Sequence, residues 1–184
     1  MIEVISNNPN LRPLMHIMIT GAANGIGNAL TQVFIENREN DNLRLTLVDI
    51  DGEKLKTWNE KNVPIQCLVQ DLSDVNKVDD LIEEATRTFG PIDLLINNAG
   101  IMAVRSMGSF EWDKAWKLLN IDLITPLKLI HAVLPSMKRR RSGSIINISS
   151  MAGIVPLRGC TFYGAAKAGL GMASECLNME ASRN

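Results

Sequence analysis

The chain has 184 residues, of which 46% are hydrophobic and 21% are charged, and this composition is typical of one globular domain. Its 19 basic and 20 acidic residues give a formal net charge of -1, which supplies no field to hold a nucleic-acid backbone or an anionic membrane surface. No apolar run approaches the roughly 18 residues of a membrane-spanning helix, and residues 1–13 lack the basic and apolar regions of a signal peptide, so we expect a cytoplasmic protein.

Short apolar runs alternate with amphipathic stretches along the chain. Five runs are predicted strands: Leu14–Ile19, Leu43–Val48, Ile65–Val69, Leu94–Ile96 and Ser144–Ile148. Five longer stretches are predicted helices: Ile26–Asn37, Gly52–Lys61, Val75–Phe89, Trp112–Met137 and Tyr163–Ala181. This alternation predicts an α/β fold in which helices cover both faces of a doubly wound parallel sheet. We expect residues 1–13 to be an N-terminal extension and residues 14–184 to be one domain.

The fourth helical stretch combines an apolar stripe with a proline. Seven large apolar residues recur at spacings of three and four and predict one buried face: Trp112, Trp116, Leu119, Leu123, Leu127, Ile130 and Leu134. Pro126 lacks the N–H that would bond to the carbonyl group of Asp122, and a proline inside a helix costs roughly 3 kcal/mol. We therefore predict a distorted helix near residues 120–126.

A glycine-rich segment joins the first strand to the first helix: Thr20-Gly21-Ala22-Ala23-Asn24-Gly25-Ile26-Gly27. Gly21 permits a tight turn, Gly25 lets backbone amides approach an anion, and Gly27 allows close packing of the helix. The N-terminus of that helix would present N–H groups to a pyrophosphate. An ordinary glycine-rich turn is the alternative, because such patterns recur by chance.

An acidic residue, Asp49, ends the second predicted strand. Its carboxylate could accept both hydroxyls of an adenosine ribose, whereas the phosphate of NADP would be repelled by it. Neither Asn24 nor Ile50 offers a compensating cation, which favours NAD over NADP. The interval from Gly21 to Asp49 is longer than the roughly 20 residues of the usual dinucleotide fingerprint, so a helix cap or a surface aspartate is the alternative.

Tyr163 is the only tyrosine of the chain, and Lys167 follows it by one helical turn. Both side chains would lie on one face of the predicted helix. A phenol has an ordinary pKa of about 10, and a nearby ammonium group lowers it because the ammonium favours the phenolate. The pair could therefore transfer protons, although a tyrosine and a lysine at this spacing are also a common accident.

Further polar residues follow the later strands. Ser150 stands at the end of the run Ile145-Ile146-Asn147-Ile148-Ser149-Ser150, and Asn97-Asn98-Ala99-Gly100 follows the fourth strand. Asn120 lies in the helix predicted to be distorted. Because ligands of open parallel sheets bind at the carboxyl ends of the strands, we expect these groups to converge beside the glycine-rich segment.

Taken together, the pattern resembles the short-chain dehydrogenase/reductase family in its single-domain branch. The resemblance extends from about Leu14 to the end of the chain. Its motifs, in order, are the glycine segment at 20–27, Asp49, Asp71, Asn97–Gly100, Asn120, Ser150, and Tyr163 with Lys167.

The resemblance implies a NAD(P)-dependent oxidoreductase for a small alcohol or carbonyl substrate. Tyr163 would be the general acid in reduction and the base in oxidation, assisted by Lys167. Ser150 would polarise the substrate carbonyl, and Asn120 would hold a water linking Lys167 to solvent. The implied cofactor-binding residues are Gly21, Asn24, Gly25, Ile26, Gly27, Asp49, Asp71, Leu72, Asn98, Ala99, Gly100, Tyr163 and Lys167.

The resemblance also implies a homodimer or homotetramer that pairs through the long helix and the Tyr163 helix. Four apolar residues could serve either that interface or the core of one chain: Leu129, Val133, Leu170 and Leu177. Members of this branch usually continue after the Tyr163 helix with two more strands and a substrate-covering segment. We therefore expect the domain to be incomplete at its C-terminus, with the fifth strand at the edge of the sheet.

Three functions remain open at this point. The first is hydride transfer between NAD(H) and a secondary alcohol or ketone. The second is a dinucleotide-binding pseudoenzyme or interaction module without turnover. The third is NADP-dependent carbonyl reduction of the oxoacyl type.

Histidine and cysteine residues are assigned structural roles. His16 lies in a strand and His131 in the long helix, too far apart in the pattern for a metal site, and we expect no metal. Cys67, Cys160 and Cys176 are odd in number and lack CxxC spacing, which argues against a disulfide framework or a zinc site. We expect them to be reduced and buried.

Met102 and Met151 lie at the expected edges of a pocket. The favoured interpretation is ordinary core packing. Alternatively, with Ile154, Val155 and Leu157 they could line a cavity for an apolar substrate.

Overall fold

The computed structural model describes residues 15–37, 42–58 and 63–181, which contain a five-stranded parallel sheet flanked by helices. The strands are β1 (Met15–Thr20), β2 (Leu43–Asp49), β3 (Ile65–Val69), β4 (Leu94–Asn97) and β5 (Ser144–Asn147). Their order in the sheet is β3-β2-β1-β4-β5, and every neighbouring pair is parallel. The predicted doubly wound α/β fold is confirmed, and β5 lies at an edge of the described sheet.

Six α-helices lie within the part of the chain that the structure describes. They are α1 (Gly25–Glu36), α2 (Gly52–Lys56), α3 (Val78–Phe89), α4 (Trp112–Leu119), α5 (Thr125–Arg140) and α6 (Thr161–Ala181). A π-helical turn, Asn120–Ile124, joins α4 to α5, so the predicted distortion is present. The N-terminal extension, the start of the first predicted strand at Leu14 and the end of the second predicted helix lie outside the described residues.

Alternate side chains of the central strands pack into two separate cores. On one face, Ile17 and Ile19 of β1 pack with Leu45 and Leu47 of β2, covered by α1 and α2. On the other face, Met18 packs with side chains of α3 and α5. Because both faces of β1 are buried from His16 onward, its run is mainly apolar. The two cores hold β1 rigidly at the centre of the sheet, directly before the glycine-rich segment.

The apolar stripe predicted for the long helix is only partly correct. Trp112 is 63% exposed and Trp116 is 52% exposed. The residues that are buried occupy a neighbouring face and include small and polar side chains: Ala115, Leu118, Ile121, Asp122, Thr125, Pro126, Leu129, Ile130, Val133 and Met137. The predicted stripe lies one residue too far along the chain both before and after the π-helical turn. It was placed on the large tryptophans, whereas the buried face begins with the small Ala115 and includes the polar Asp122.

The sequence left open whether four apolar residues belong to an interface between copies or to the core of one chain. Three of them belong to the core. Leu129, Val133 and Leu170 are at most 4% exposed, and Leu177 packs partly buried against the core around Met18. Leu129, Val133 and Leu170 are therefore unavailable to an interface between two copies of the chain.

The continuous helical run Trp112–Arg140 has 29 residues and, among the described helices, is the one long and apolar enough to cross a membrane by length and composition. Charged residues such as Asp122 and Lys128 interrupt this helix, so it does not contain an uninterrupted apolar run of that length. Of its most apolar window, 44% is buried inside the domain, as in the core helix of a globular protein.

The cysteines differ in exposure. Cys160 is buried, Cys67 is half-buried and Cys176 is exposed. The prediction of three buried thiols is wrong for Cys176, because its position on α6 faces away from the core.

Candidate active site

All five strands run in one direction, so their carboxyl ends lie at one edge of the sheet. The glycine-rich segment follows β1 there, Asp49 ends β2, and residues 97–100 end β4. Ser150 follows β5 after two residues. The sheet therefore brings together groups that are far apart in sequence.

The three glycines of the segment after β1 are required for different reasons. Gly21 and Gly25 have φ angles of +68° and +53°, in the left-handed region that favours glycine. A Cβ atom at Gly27 would overlap the carbonyl oxygen of Gly21, so α1 can approach the segment only without a side chain there. Around Gly25, in contrast, a Cβ atom would meet nothing within 4 Å. The open space thus lies at the first residue of α1.

The N-terminus of α1 has the features of an anion site. Asn24 precedes the helix in an extended conformation and its side chain does not cap it, and the first turn carries no acidic residue. Asn24, Gly25 and Ile26 are all exposed. The amide groups of a first helical turn carry partial positive charge, so this end of α1 fits a pyrophosphate.

Asp49 is held in place by the backbone on both sides. Its Oδ2 accepts from the N–H of Ala23 at 2.9 Å, and its Oδ1 accepts from the N–H of Asp51 at 3.0 Å. The residue is half-buried, and each carboxylate oxygen can accept a further hydrogen bond. Asp49 can therefore accept hydroxyl groups without releasing the glycine-rich segment.

Asn98 ties the glycine-rich segment to β4. Its Nδ2 donates to the carbonyl oxygens of Thr20 at 3.0 Å and Gly21 at 3.1 Å. The N–H groups of Asn98 and Ala99 both donate to Thr20 Oγ1 at 3.1 Å. The side chain of Asn98 thus supports the segment from behind, and residues 98–100 can reach a ligand only through their backbone or through Ala99.

Asp71 and Leu72 point in different directions. Asp71 Oδ1 accepts from the N–H of Ser73 at 2.9 Å and its Oδ2 lies 3.2 Å from Lys117 Nζ. The hydrogen bond from Ser73 lowers the pKa of Asp71, with a smaller contribution from Lys117. Leu72 is 7% exposed, and its carbonyl oxygen accepts from Thr125 Oγ1 at 2.7 Å. Asp71 therefore stands at the surface while Leu72 is part of the core.

Tyr163 and Lys167 lie on one face of α6, as predicted. Lys167 Nζ is 5.8 Å from the centroid of the Tyr163 ring and donates to the carbonyl oxygen of Ile148 at 3.1 Å. Lys167 is 5% exposed, whereas Tyr163 is half-buried. The ammonium group is thus fixed at the end of β5, beside a phenol that solvent or a ligand can reach.

Asp122, and not Asn120, lies beside Lys167. Asp122 Oδ1 is 3.0 Å from Lys167 Nζ, while Asn120 Nδ2 donates to the carbonyl oxygen of Ser73 at 3.0 Å. The π-helical turn contains both residues and rotates Asp122 towards α6. Two signals in the sequence point to Asp122: an acid stands inside an apolar stripe, and Pro126 leaves its carbonyl group without the usual helical donor.

The carboxyl group of Asp122 is completely buried. Its Oδ2 accepts from the N–H of Ile101 at 3.0 Å. Burial raises the pKa of Asp122, and the hydrogen bond from Ile101 and the charge of Lys167 oppose this effect. The cost of removing the carboxylate from water is thus larger than its two contacts offset.

Ser150 caps the single 3₁₀ turn Met151–Gly153. Its Oγ accepts from the N–H of Ala152 at 3.2 Å, which leaves the hydroxyl proton free to donate elsewhere. The turn packs directly on α6, because a Cβ atom at Gly164 would lie 2.8 Å from the Ala152 carbonyl oxygen. Ser150 is therefore held next to the first turn of α6, which carries Tyr163.

Five apolar residues project from the two loops beside this group. They are between 46% and 78% exposed: Met102, Met151, Ile154, Val155 and Leu157. The loops are joined where the N–H of Arg105 donates to the carbonyl oxygen of Gly159 at 2.9 Å. Core packing, the interpretation favoured from the sequence for Met102 and Met151, is therefore wrong for these two residues. Within the residues that the structure describes, no cluster of histidine, cysteine and acidic side chains could hold a metal ion.

Comparison with known proteins agrees with this arrangement. A family model described as short chain dehydrogenase matches residues 15–184. The chain belongs to the short-chain dehydrogenase family. The resemblance inferred from the motifs is thus confirmed, and with it the Rossmann-like fold.

The relatives within the short-chain dehydrogenase family are longer than this chain. A mouse (Mus musculus) 3-ketodihydrosphingosine reductase is 31% identical over 96% of this chain, which spans 55% of that protein. The 3-oxoacyl-(acyl-carrier-protein) reductase FabG of Thermotoga maritima is 34% identical over 91% of the chain and 68% of the relative. A solved 4-hydroxyisoleucine dehydrogenase complexed with NADH superposes with a TM-score of 0.84 at 26% identity, covering 92% of this chain and 68% of that one.

Proposed function

We propose that this oxidoreductase-family chain transfers a hydride between NAD(H) and a secondary alcohol or ketone, with Tyr163 as the residue that transfers the proton. The observation that carries the proposal is the position of Lys167. Its ammonium group is buried, bound to the end of β5 and directed at the only tyrosine, at the sheet edge where α1 presents its open N-terminus. Hydride transfer needs a proton donor or acceptor next to a dinucleotide site, and in this proposal Tyr163 and the N-terminus of α1 would supply the two.

The residues fit a nicotinamide dinucleotide. The open, uncapped N-terminus of α1 would hold the pyrophosphate, and Asp49 would accept the hydroxyls of the adenosine ribose. Asp71 stands at the surface after β3, where it could contact the adenine. A carboxylate next to the adenosine ribose disfavours the phosphate that NADP carries on that ribose, which supports NAD over NADP.

The nicotinamide, when bound, would supply or accept the hydride. Tyr163 would give its phenolic proton to the substrate oxygen in reduction and take the proton back in oxidation. Lys167 would favour the phenolate form of Tyr163 through its charge. Ser150 would donate its free hydroxyl proton to the same oxygen and so orient the carbonyl group. In this proposal Asn120 no longer has a role in proton transfer, because its side chain is bound to Ser73.

An NADP-dependent oxoacyl reductase is the second candidate. Two observations favour it: the relative from Thermotoga maritima carries that description, and Lys54 places a cation on Asn24 near the ribose edge. A dinucleotide-binding module without turnover is the third, and it would retain cofactor binding alone.

The proposal includes association of the chain with copies of itself. Exposed apolar residues remain on α4 and α6 after the core is accounted for: Trp112, Trp116, Met172 and Met179. Trp112 and Trp116 stack at 6.5 Å between ring centroids. Sedimentation that shows only monomers at micromolar concentration would contradict this part of the proposal.

The catalytic assignment is tested with Tyr163→Phe, which removes one hydroxyl group. Formation of NADH is followed spectroscopically with NAD and a panel of secondary alcohols, and cofactor binding is measured by titration. We expect turnover to fall by roughly 10²- to 10⁴-fold while cofactor affinity changes little. Ser150→Ala should also lose turnover, and Ser149→Ala is its matched control. Near-normal turnover of Tyr163→Phe would reject the assignment, and a wild-type chain that binds cofactor without turnover would favour the third candidate.

A further inference from the structure

We propose that the loops after β4 and β5 dock on the surface of an anionic phospholipid bilayer. Five residues would make the contact, and we call them the loop tips: Val104, Arg105, Met107, Leu157 and Arg158. Three apolar side chains would enter the headgroup region, and two guanidinium groups would bind lipid phosphates. Docking of this kind needs no helix that crosses the bilayer. The inference does not depend on the proposed reaction, because it concerns where the molecule binds and not what it catalyses.

The loop tips form one surface because the two loops are joined. The N–H of Arg105 donates to the carbonyl oxygen of Gly159 at 2.9 Å. A Cβ atom at Gly159 would lie 3.0 Å from Val104 Cγ1, and the φ angle of +78° at this position also favours glycine. Leu157 and Arg158 come directly before Gly159, so they stand beside Val104 and Arg105. Since the surface exists before docking, little conformational entropy is lost when it binds.

The loop tips combine exposed apolar side chains with unpaired cations. The three apolar members are between 49% and 61% exposed, and both arginines are exposed. Within the described residues, no ion pair includes either arginine. Their guanidinium groups are therefore available to phosphate oxygens, which arginine binds with two parallel hydrogen bonds.

Acidic residues are absent from both loops. Residues 98–110 and 148–160 contain no aspartate or glutamate, although the chain has 20 acidic residues. Next to the first loop, Glu111 pairs with Lys114 at 2.8 Å, and Asp113 is exposed on α4. The formal net charge of -1 is an average over the whole chain, whereas a bilayer meets one face of it. Because the field of a charged bilayer falls off within a Debye length, the charge of the docked face decides the attraction.

A bilayer fits the loop tips better than a second copy of the chain. In a two-fold contact each surface meets itself, so the arginines of one copy would stand near those of the other with no acid between them. An anionic bilayer offers phosphate groups and an apolar interior at the same time. Arginine stems can lie along the apolar region while their guanidinium groups remain among the phosphates.

The test is flotation of the 184-residue chain with vesicles. One set of vesicles is phosphatidylcholine alone, and the other contains about one-third phosphatidylserine. We expect binding to the mixed vesicles to be at least about tenfold tighter and to weaken as salt is raised. Arg105→Gln combined with Arg158→Gln should weaken binding to the mixed vesicles by about 25-fold, which is roughly fivefold for each charge.

The matched control removes two other arginines. Arg139→Gln combined with Arg141→Gln changes exposed residues of the basic run between α5 and β5, at the opposite edge of the sheet. This double variant should bind the mixed vesicles like the wild-type chain. An equal loss in the two double variants would overturn the inference, because the bilayer would then respond to total charge and not to the loop tips.

Apolar variants test insertion separately from charge. Leu157→Ser and Met107→Ser should each weaken binding to both kinds of vesicle by roughly three- to tenfold, because part of an apolar side chain no longer leaves water. Met172→Ser changes an exposed residue of α6 and should have no effect. Circular dichroism checks that each variant is folded.

Absence of binding by the wild-type chain, or equal binding to the two kinds of vesicle, would overturn the inference. Sedimentation without vesicles tests a second copy as the occupant. If Leu157→Ser and Met107→Ser dissociate an oligomer and leave vesicle binding unchanged, the loop tips are an interface between copies, and the inference is wrong. No turnover is measured, so failure here is distinct from failure of Tyr163→Phe to lose activity.

Discussion

The ammonium group of Lys54 donates a hydrogen bond to the side-chain oxygen of Asn24 at 2.7 Å, which joins α2 to the turn before α1. Lys54 also lies 3.3 Å from Asp51, the residue that caps α2. A cation thus stands one residue away from Ala23, whose N–H binds Asp49. The sequence interpretation considered only Asn24 and Ile50 as neighbours of a ribose phosphate and overlooked this lysine, which reaches Asn24 from a different helix.

Asp49 and Lys54 are expected to act in opposite directions on the choice of cofactor. The wild-type chain should bind NADH at least about tenfold more tightly than NADPH, because repulsion by the half-buried Asp49 outweighs attraction by the exposed and partly neutralised Lys54. Asp49→Asn should reduce this ratio, and Lys54→Gln should increase it. Fluorescence titration of each variant with both reduced cofactors measures the two dissociation constants.

Lys56→Gln is the matched control for Lys54→Gln. Lys56 belongs to the same helix and pairs with Glu53 at 2.6 Å. Its removal should leave the ratio of the two dissociation constants unchanged. Equal affinities of the wild-type chain for NADH and NADPH, or a preference for NADPH, would contradict the role given to Asp49.

Gly27 and Gly171 both lie in helices, and replacing them with alanine should change the free energy of unfolding in opposite directions. A methyl group at Gly27 would overlap the Gly21 carbonyl oxygen, and Gly27→Ala should lower the free energy of unfolding by about 1–3 kcal/mol. A methyl group at Gly171 meets nothing within 4 Å, so Gly171→Ala should raise it by about 0.5–1 kcal/mol. Urea denaturation of both variants compares them. Equal changes in the free energy of unfolding at the two positions would show that helix propensity alone determines the effect of alanine.

His16 is expected to make the stability of the fold depend on pH. The residue is 1% exposed, with Nδ1 2.9 Å from the Gly90 carbonyl oxygen and Nε2 2.9 Å from Thr46 Oγ1. Burial lowers the pKa of His16 below its ordinary value, and the contact with Gly90 opposes this effect. Below pH of about 6.5 the unfolded chain therefore binds a proton that the folded chain does not bind, and stability should fall by at most 1.36 kcal/mol per pH unit.

His16→Gln should reduce the change of the free energy of unfolding with pH in the range between the ordinary pKa of histidine and the lowered pKa of His16. His131, the only other histidine, is exposed on α5, and His131→Gln is the matched control. Urea midpoints measured at several pH values between 5 and 7 give the slope for each variant. If the slope survives in His16→Gln and disappears in His131→Gln, the assignment to His16 is wrong.

The order of the elements could be predicted from the sequence because each strand is a short, largely apolar run, the central strands being buried on both faces, and each connection carries a helical period. Strand ends lie within one residue of the prediction at β1, β2, β4 and β5, and at β3 they coincide with it. The site could be predicted where a residue stands at or just after a strand end, as Asp49 and Ser150 do, and where helical spacing pairs two residues, as it does Tyr163 and Lys167. Asp122 was missed because the resemblance assigned this position to Asn120, and the sequence does not show which residue of the π-helical turn Asn120–Ile124 faces α6.

The exposed apolar loops predict how the affinity for substrate depends on its chain length. Met102, Met151 and Ile154 are 61%, 66% and 78% exposed and flank the group formed by Ser150 and Tyr163. Each methylene group of a substrate that is buried against them should contribute up to about 0.8 kcal/mol, so KM for a series of straight-chain 2-ketones should fall with chain length until the loops are covered. Ile154→Asp should remove this trend and leave the shortest ketone unaffected. Met179→Asp, which changes another exposed apolar residue near the end of α6, should preserve the trend. A KM that does not vary with chain length in the wild-type chain would mean that these side chains serve another contact, because a substrate bound between them could not avoid burying its methylene groups.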